Sequence, residues 1–437
     1  LLRQVNASFE NEFCRFIESG LYDELLQRGL IVPHEEVDAT PYLGRGAWRV
    51  LRPDVIDTLS YPYEWCFGQL KDAALATLHI QSLALEKGMC LRDASAFNIQ
   101  FHHGRPILID TLSLGRYVPG QPWRAYRQFV SHFLAPLALM AHVDVRLGRL
   151  LQLDVDGVPL DLASRLLPAA TKLKPGLLMH LHLHAKADRS PKSPGSQPKA
   201  EFGRNAMMGL IDSLRGSIEG LHYDPKGTEW ADYYENTNYA ESSMGAKRRL
   251  VGELLDSIRP RPASCWDLGA NTGAFSDLAA ERGIRTVAWD VDPAAVERNY
   301  RRPDRNPLIL PLLQDLTAPS PALGWALRER ESLAERGPAE VVLALALIHH
   351  LTIAHNVPLR EVASFLASLT SWLIIEFVPK SDSQVQRMLA FREDHFDDYS
   401  IDGFREAFAE RFNFEREVPI PGTERTLFLA RRKSDAG

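Results

Sequence analysis

The sequence predicts an α/β protein, with a doubly wound, mainly parallel sheet in its second half and a mainly helical region in its first. Three observations lead there. From about residue 264 to the C-terminus, short apolar runs alternate with helical stretches. The first of those runs leads straight into a glycine loop, "SCWDLGANTGAF" (264–275). Upstream, "KADRSPKSPGSQPKA" (186–200) holds no large apolar residue, cannot pack a core, and reads as a linker. The expected organisation is a helical domain over 1–185, a linker or loop over 186–204, and the α/β domain over 205–437.

In the first half, "CFGQLKDAALATLHIQSLALEKG" (66–88) and "WRAYRQFVSHFLAPLALMAHVDVRLGRLL" (123–151) carry apolar residues near the 3.6-residue helical period. Between them "FNIQF" and "PILID" form a short strand pair about the turn "HHGR". In the second half the buried-strand runs are "SCWDLG" (264–269), "RTVAWD" (285–290), "LILPLL" (308–313), "EVVLALAL" (340–347) and "WLIIEFV" (372–378). Helical stretches at Ala274–Arg282, Pro293–Arg301 and Pro358–Leu369 separate most of them. Such alternation predicts right-handed crossovers and a parallel sheet covered by helices on both faces. The end of the chain, "FNFEREVPI" (412–420), "PGTE" and "RTLFLARR" (425–432), reads as an antiparallel hairpin. With it the sheet has seven strands.

Composition narrows the class. The 437 residues are 45% hydrophobic with a net charge of −6, which argues against non-specific nucleic-acid binding through a basic surface. "RNYRRPDR" (298–305) is rich in arginine and a candidate local basic patch, with a solvated helix end as its plain reading. The four cysteines lack both zinc spacing and the density of a disulfide scaffold. The N-terminal "LLRQVNASFENEF" has no signal-peptide pattern, and the apolar runs fall short of the ~20 residues that span a bilayer. The expectation is a cytoplasmic protein with no membrane span, and the opening Leu in place of Met leads one to expect a few residues before it.

The glycine loop identifies the class of ligand. In a doubly wound sheet the ligand sits beyond the carboxyl ends of the strands, where strand order reverses. Asp267 ends the first strand; Gly269 allows a tight turn, and Gly273 allows close packing where the next helix starts. Asp290 ends the second strand, 21 residues after Gly269, where a carboxylate can accept both hydroxyls of a ribose. Capping of the following helix is its alternative role. A dinucleotide would press its pyrophosphate against the middle loop position, which here is Asn271 rather than glycine. No Gly-Lys-Ser/Thr follows, so the loop is not a P-loop. S-adenosylmethionine has no phosphate, tolerates the asparagine, and is cationic near its amino group and sulfonium, which suits Asp267.

"DLGANTGAFS" and "VAWDVDP" resemble the first two motifs of class I S-adenosylmethionine-dependent methyltransferases, whose domain is Rossmann-like. "LLQDLT" (312–317) resembles the third, in which the acidic residue, here Asp315, contacts the adenine amino group. "LALALIHHL" (343–351) resembles the fourth, and the terminal hairpin matches the family's closing strand. The resemblance covers roughly 228–432. Within the family, "IEFVPKSDSQVQRMLAFREDHFDDYS" is similar to bacterial nodulation-protein-type methyltransferases. An ordinary turn is the alternative for Asp315. "WADYYENTNYA" (230–240), which includes Tyr239, is a candidate to fold over the methionine end of the cofactor, with core packing as the alternative.

"CLRDASAFNIQF" (90–101), followed by Asp110 at the end of "PILID", resembles the catalytic loop and metal-binding aspartate of protein-kinase-like and aminoglycoside-phosphotransferase-like folds. The resemblance implies that Asp93 orients an acceptor hydroxyl while Asn98 and Asp110 hold magnesium. The departure is the nucleotide lysine: the first lysine of the chain is Lys71, inside the long helix, and "YLGRGAW" (42–48) is a poor glycine-rich loop. Arg49 or Arg52 in its place is conceivable. A degenerate kinase-like scaffold leads, ahead of residual nucleotide or metal binding and of real phosphotransfer. "HLHLH" (180–184) would put three histidines on one face if extended; without a partner cluster no metal site is assigned.

Methyl transfer is an in-line displacement, so alignment supplies most of the rate, and a base assists an oxygen acceptor. His349 and His350, just past the fourth strand, are the candidate bases; packing at a helix start is the alternative. No Asn-Pro-Pro-Tyr-type motif favours exocyclic base amines. The expected function is therefore methylation of a small-molecule acceptor, O-methylation favoured, with the first half as a substrate-binding or scaffold domain. A bifunctional kinase and methyltransferase, or a cofactor-binding scaffold without chemistry, are the alternatives.

Overall fold

The computed structural model describes residues 1–38, 44, 46–188, 203–226, 241–390 and 392–434. The chain divides into two compact units, Leu1–Asp224 and Pro225–Gly437. This places the division after the helix Arg204–Glu219 rather than at 205. That helix buries Met207, Ile211, Leu214 and Ile218. Lys71 Nζ donates to its C-terminal carbonyls, Glu219 O at 2.9 Å and Leu221 O at 2.8 Å, a cation where the helix dipole is negative. The linker composition at 186–200 hides the fact that the next helix returns to the first unit.

The first unit opens on a three-stranded antiparallel sheet in the order Arg3–Asn6, Ala47–Pro53, His34–Glu36. Its central helix, Phe67–Glu86, is buried around most of its circumference, consistent with an apolar run wider than one face. Ile99–His102 and Arg105–Leu108 form the expected hairpin. Its turn residues His103 and Gly104 both take positive φ, 48° and 76°, the geometry that matches strand twist in a two-residue hairpin loop.

The second unit holds the seven-stranded sheet. Its strands are β1 (Ser264–Leu268), β2 (Arg285–Asp290), β3 (Ile309–Leu313), β4 (Ala339–Ala344), β5 (Thr370–Phe377), β6 (Phe412–Pro419) and β7 (Thr426–Arg432). They lie in the order β3-β2-β1-β4-β5-β7-β6. β1 to β5 are parallel, and β7 runs antiparallel between β5 and β6. On one face Cys265, Val341, Leu343, Ile374 and Leu427 pack with Val251, Leu254, Leu255 and Ile258, the last four contributed by or just after the helix Glu241–Ser257. Another packing group joins Phe404 of the helix Ile401–Ala409 to Phe377 and Phe428, ring centroids 5.4 and 4.9 Å apart. Burial on both faces explains why the parallel strands read as unbroken apolar runs. The strand order reverses between β1 and β4, opening a crevice at their carboxyl ends. Among the described residues no helix is long and apolar enough to cross a membrane.

Candidate active site

The loop after β1 turns at its asparagine. Asn271 sits at φ 52°, a left-handed conformation that asparagine tolerates better than most residues. There its backbone N–H donates to Asp290 Oδ2 at 2.7 Å, while its own Oδ1 accepts from Thr272 N at 2.7 Å. Gly269, at φ 76°, and Ala270 both donate to Trp289 O at 2.9 Å, which fastens the loop to β2. The helix that follows is shorter than expected, Ser276–Ala280, because 271–275 are taken up by the turn.

Gly273 lies at φ 86°, and a Cβ there would meet the Asn299 side chain at 2.6 Å. Gly273→Ala is therefore expected to cost ~1–3 kcal/mol through strain and crowding. A thermal melt should show a clear fall in Tm, and an unchanged Tm would contradict this packing.

A cavity of about 240 Å³ opens beside this loop. Its lining includes Asp267, Gly269, Asn271 and Asp290, then Asp315 beyond β3 and His350 beyond β4. Five of the expected cofactor residues and one of the two candidate bases thus meet at one place. Gly273 is not among the lining residues, and Tyr239 lies outside the described residues. Asp290 is nearly buried and also accepts from Asp292 N at 2.8 Å; burial pushes its carboxyl up to about 6 against these amide bonds. Helix capping falls instead to Asp292, whose Oδ1 accepts from Ala294 N at 2.8 Å. Asp315 is half-buried and accepts from the Thr317 amide at 2.9 Å and hydroxyl at 2.6 Å, so it closes a turn as well as lining the cavity.

Asp267 accepts from Ser276 Oγ at 2.7 Å, and burial pushes its carboxyl up to about 7. Because the folded-state value is raised, the proton is held more tightly in the folded chain. Stability from this group is greatest at low pH and falls as pH climbs from the ordinary carboxylate range towards about 7. A cation bound beside Asp267 has the opposite preference and favours the ionised form. Affinity for a cationic ligand should therefore rise with pH and level off above about 7, and Asp267→Asn should flatten the profile. Calorimetric titration across pH 5–9 measures it; equal slopes in both proteins would contradict it.

The two histidines separate. His350 starts the helical turn His350–Ala354 and lines the cavity; burial pushes it down to about 4, helped by nearby His355 and Arg425, so it is neutral at pH 7. His349 is fully buried, does not line the cavity, and neither ring nitrogen has a hydrogen-bond partner among the described residues. The residue packs against His350, ring centroids 4.1 Å apart, with no access to the cavity lining.

Sequence reasoning missed a buried ionic group at the same cavity. Lys247, from the helix Glu241–Ser257, lines it while only 3% exposed, its ammonium 2.5 Å from Glu376 Oε2 at the end of β5. Arg425, at the start of the β7 side of the hairpin, reaches Glu376 at 3.2 Å and Asp382 at 2.7 Å. The available signal was Glu376 itself, a single carboxylate inside the apolar run "WLIIEFV".

In the first unit the kinase-like residues are engaged otherwise. Asp110 pairs with Arg3 at 3.1 Å and accepts from Leu112 N, and Asp93 accepts from Ser95 N at 2.9 Å. Arg49 and Arg52 pair with Glu36 and Glu35. "HLHLH" is helical rather than extended. His180 lies 2.8 Å from both the Tyr126 hydroxyl and Ser213 Oγ, and His182 lies within 2.9 Å of Ser164 and Thr171 hydroxyls. Among the described residues no group of three or more His, Cys, Asp or Glu could hold a metal. The arginines of "RNYRRPDR" bind their own unit: Arg301 pairs with Glu297, Arg302 with Asp277, and Arg298 and Arg305 donate to carbonyls.

Fold and site together define a protein with a doubly wound α/β domain and an acid-lined cavity at the strand ends. The chain belongs to the family of nodulation protein NoeA of Rhizobium meliloti (strain 1021), to which it is 38% identical over 445 residues, covering 99% of this chain and 92% of the relative. No family model matches. Solved structures similar to it include magnesium protoporphyrin IX methyltransferase (ChlM) from Synechocystis PCC 6803 with bound SAH, at 18% identity and TM-score 0.33, over 47% of this chain and 93% of that one. N-methyltransferase NodS from Bradyrhizobium japonicum WM9 is 14% identical with TM-score 0.32, over 44% and 98%. The bifunctional kinase-methyltransferase WbdD is 16% identical with TM-score 0.31, over 46% and 41%. Likenesses of this size assign no function.

Proposed function

We propose that the second unit is an S-adenosylmethionine-dependent methyltransferase acting on a small-molecule acceptor, with an oxygen as the favoured methyl-receiving atom. The observation that carries this reading is the run of three carboxyl groups, Asp267, Asp290 and Asp315, around one cavity beside an asparagine-bearing loop. The donor set fits the cofactor. Asp290 would accept the ribose hydroxyls, Asp315 the adenine amino group, and Asp267 with Gly269 would face the charged amino-acid end. Asn271 occupies the middle of the loop, where a pyrophosphate would need glycine. When bound, the cofactor supplies a methyl group activated on a sulfonium. The chain's own part is to align the acceptor, which can supply roughly 7–11 kcal/mol. His350, neutral and lining the cavity, would take the acceptor's proton at a ring nitrogen.

The test is incubation of the full chain with methyl-labelled S-adenosylmethionine and fractionated native extract. Label entering a small-molecule fraction supports the reading. Cofactor binding with no label transferred to any fraction would leave a binding scaffold instead.

For the first unit we read a kinase-like scaffold that transfers no phosphate. Arg3 already neutralises Asp110, and Lys71 is committed to a helix end. Purified protein with ATP and magnesium should show no phosphate release above background. Turnover that disappears in Asp93→Ala would prove this wrong.

A further inference from the structure

We propose that Lys247 receives the carboxylate at the amino-acid end of the cofactor, and that Glu376 and Arg425 are positioning residues that aim it. The inference rests on the cofactor reading above and deepens it. Lys247 is the single Lys or Arg among the residues lining the cavity, where three carboxyl groups otherwise set the charge. Lys247 stands over the Phe275 ring and Asp267 accepts from Ser276, the next residue along the chain, so the two charges lie near one another. Phe275, also lining the cavity, has its ring centroid 4.8 Å from the ammonium. An α-amino acid carries one cation and one anion on adjacent carbons. An aspartate and a lysine at one end of a cavity are the complementary pair, whereas the nucleoside end needs only the acceptors of Asp290 and Asp315.

Burying an ammonium is expensive unless it is paired. Glu376 provides the pairing at 2.5 Å, but it also serves Arg425 at 3.2 Å, and Arg425 is anchored in turn by Asp382 at 2.7 Å. Asp382 caps the helix Ser383–Leu389 by accepting from Gln384 N at 2.9 Å. The ammonium is thus held from the side of β5 and the terminal hairpin while it lines the cavity. A flexible surface lysine would lose rotamer freedom on meeting a ligand; this one is already ordered, so less entropy opposes binding.

The experiment compares two ligands on the full chain by calorimetry. S-adenosylhomocysteine carries the amino-acid group, and 5′-methylthioadenosine carries the same nucleoside without it. In Lys247→Met, affinity for S-adenosylhomocysteine should fall by roughly 10–100-fold, the scale of a lost charge-assisted hydrogen bond. Affinity for 5′-methylthioadenosine should stay within about threefold, since the change lies outside the nucleoside contacts. Glu376→Gln should weaken S-adenosylhomocysteine selectively but less, because the ammonium remains and only its aim is relaxed. If Lys247→Met leaves too little folded protein, the double substitution Lys247→Met with Glu376→Gln removes the stranded carboxylate and must show the same selective loss. Equal weakening of both ligands, or no weakening of either, would overturn the assignment while leaving the cofactor reading intact. Wild-type protein that binds neither ligand would overturn both.

Discussion

Asp290→Ala is expected to weaken S-adenosylmethionine binding by at least roughly 100-fold. The carboxylate would accept from two ribose hydroxyls, and hydrogen bonds to a charged group are worth ~1.5–3 kcal/mol each. The same side chain holds the loop, since it accepts from Asn271 N and Asp292 N. Removing it leaves two backbone donors without their partner, so Tm should fall as well. Asp290→Asn separates the effects. The amide keeps one of the two acceptors for the loop and loses the charge, so part of the stability should return while affinity stays low. Calorimetry and thermal melts on the two variants read this directly. Full affinity in Asp290→Ala would remove the ribose assignment.

His350→Ala should lower turnover by roughly 10²-fold, the lower end of what a positioned base contributes. The lower end follows from the side chain's own chemistry. A group pushed down to about 4 is neutral at pH 7, yet holds a proton weakly. Its folded-state value is lowered, so at saturating cofactor the wild-type rate should climb as pH rises through about 4 and then stay flat. That limb should vanish in the variant. Cofactor affinity should barely change, because no contact to the nucleoside is assigned to the imidazole. The loss should shrink for an acceptor that is already ionised. His349→Ala is the control: the residue lies behind His350, away from the cavity. It should lower Tm without a selective loss of rate. Unchanged turnover in His350→Ala would leave alignment as the whole mechanism.

The second half was legible because its physics is local. Buried parallel strands read as apolar runs, and each acidic site residue stands at or just beyond the end of one, as Asp267, Asp290 and Asp315 do. Position along the chain then gives position at the rim of the sheet. Asn271 was read for what it excludes, while its positive φ and its bond to Asp290 belong to the folded loop. The two histidines could not be told apart, since adjacent residues at a helix start face different neighbours and only packing decides which one meets the cavity. Lys247 and Arg425 were illegible for a different reason. They lie 178 positions apart in sequence, and nothing local to either announces the shared Glu376. The boundary read from composition and the division at Asp224 differ, because composition marks where the chain leaves a core and cannot show that the next helix returns to it. In the first half the kinase-like pattern was visible, but Arg3 pairing with Asp110 joins residues 107 positions apart.

Titration of S-adenosylmethionine into the full chain, with NAD as the comparison ligand, tests the central claim most directly. The account predicts micromolar binding of S-adenosylmethionine that strengthens as Asp267 ionises, and no detectable heat from NAD. Binding of NAD with none of S-adenosylmethionine would contradict it.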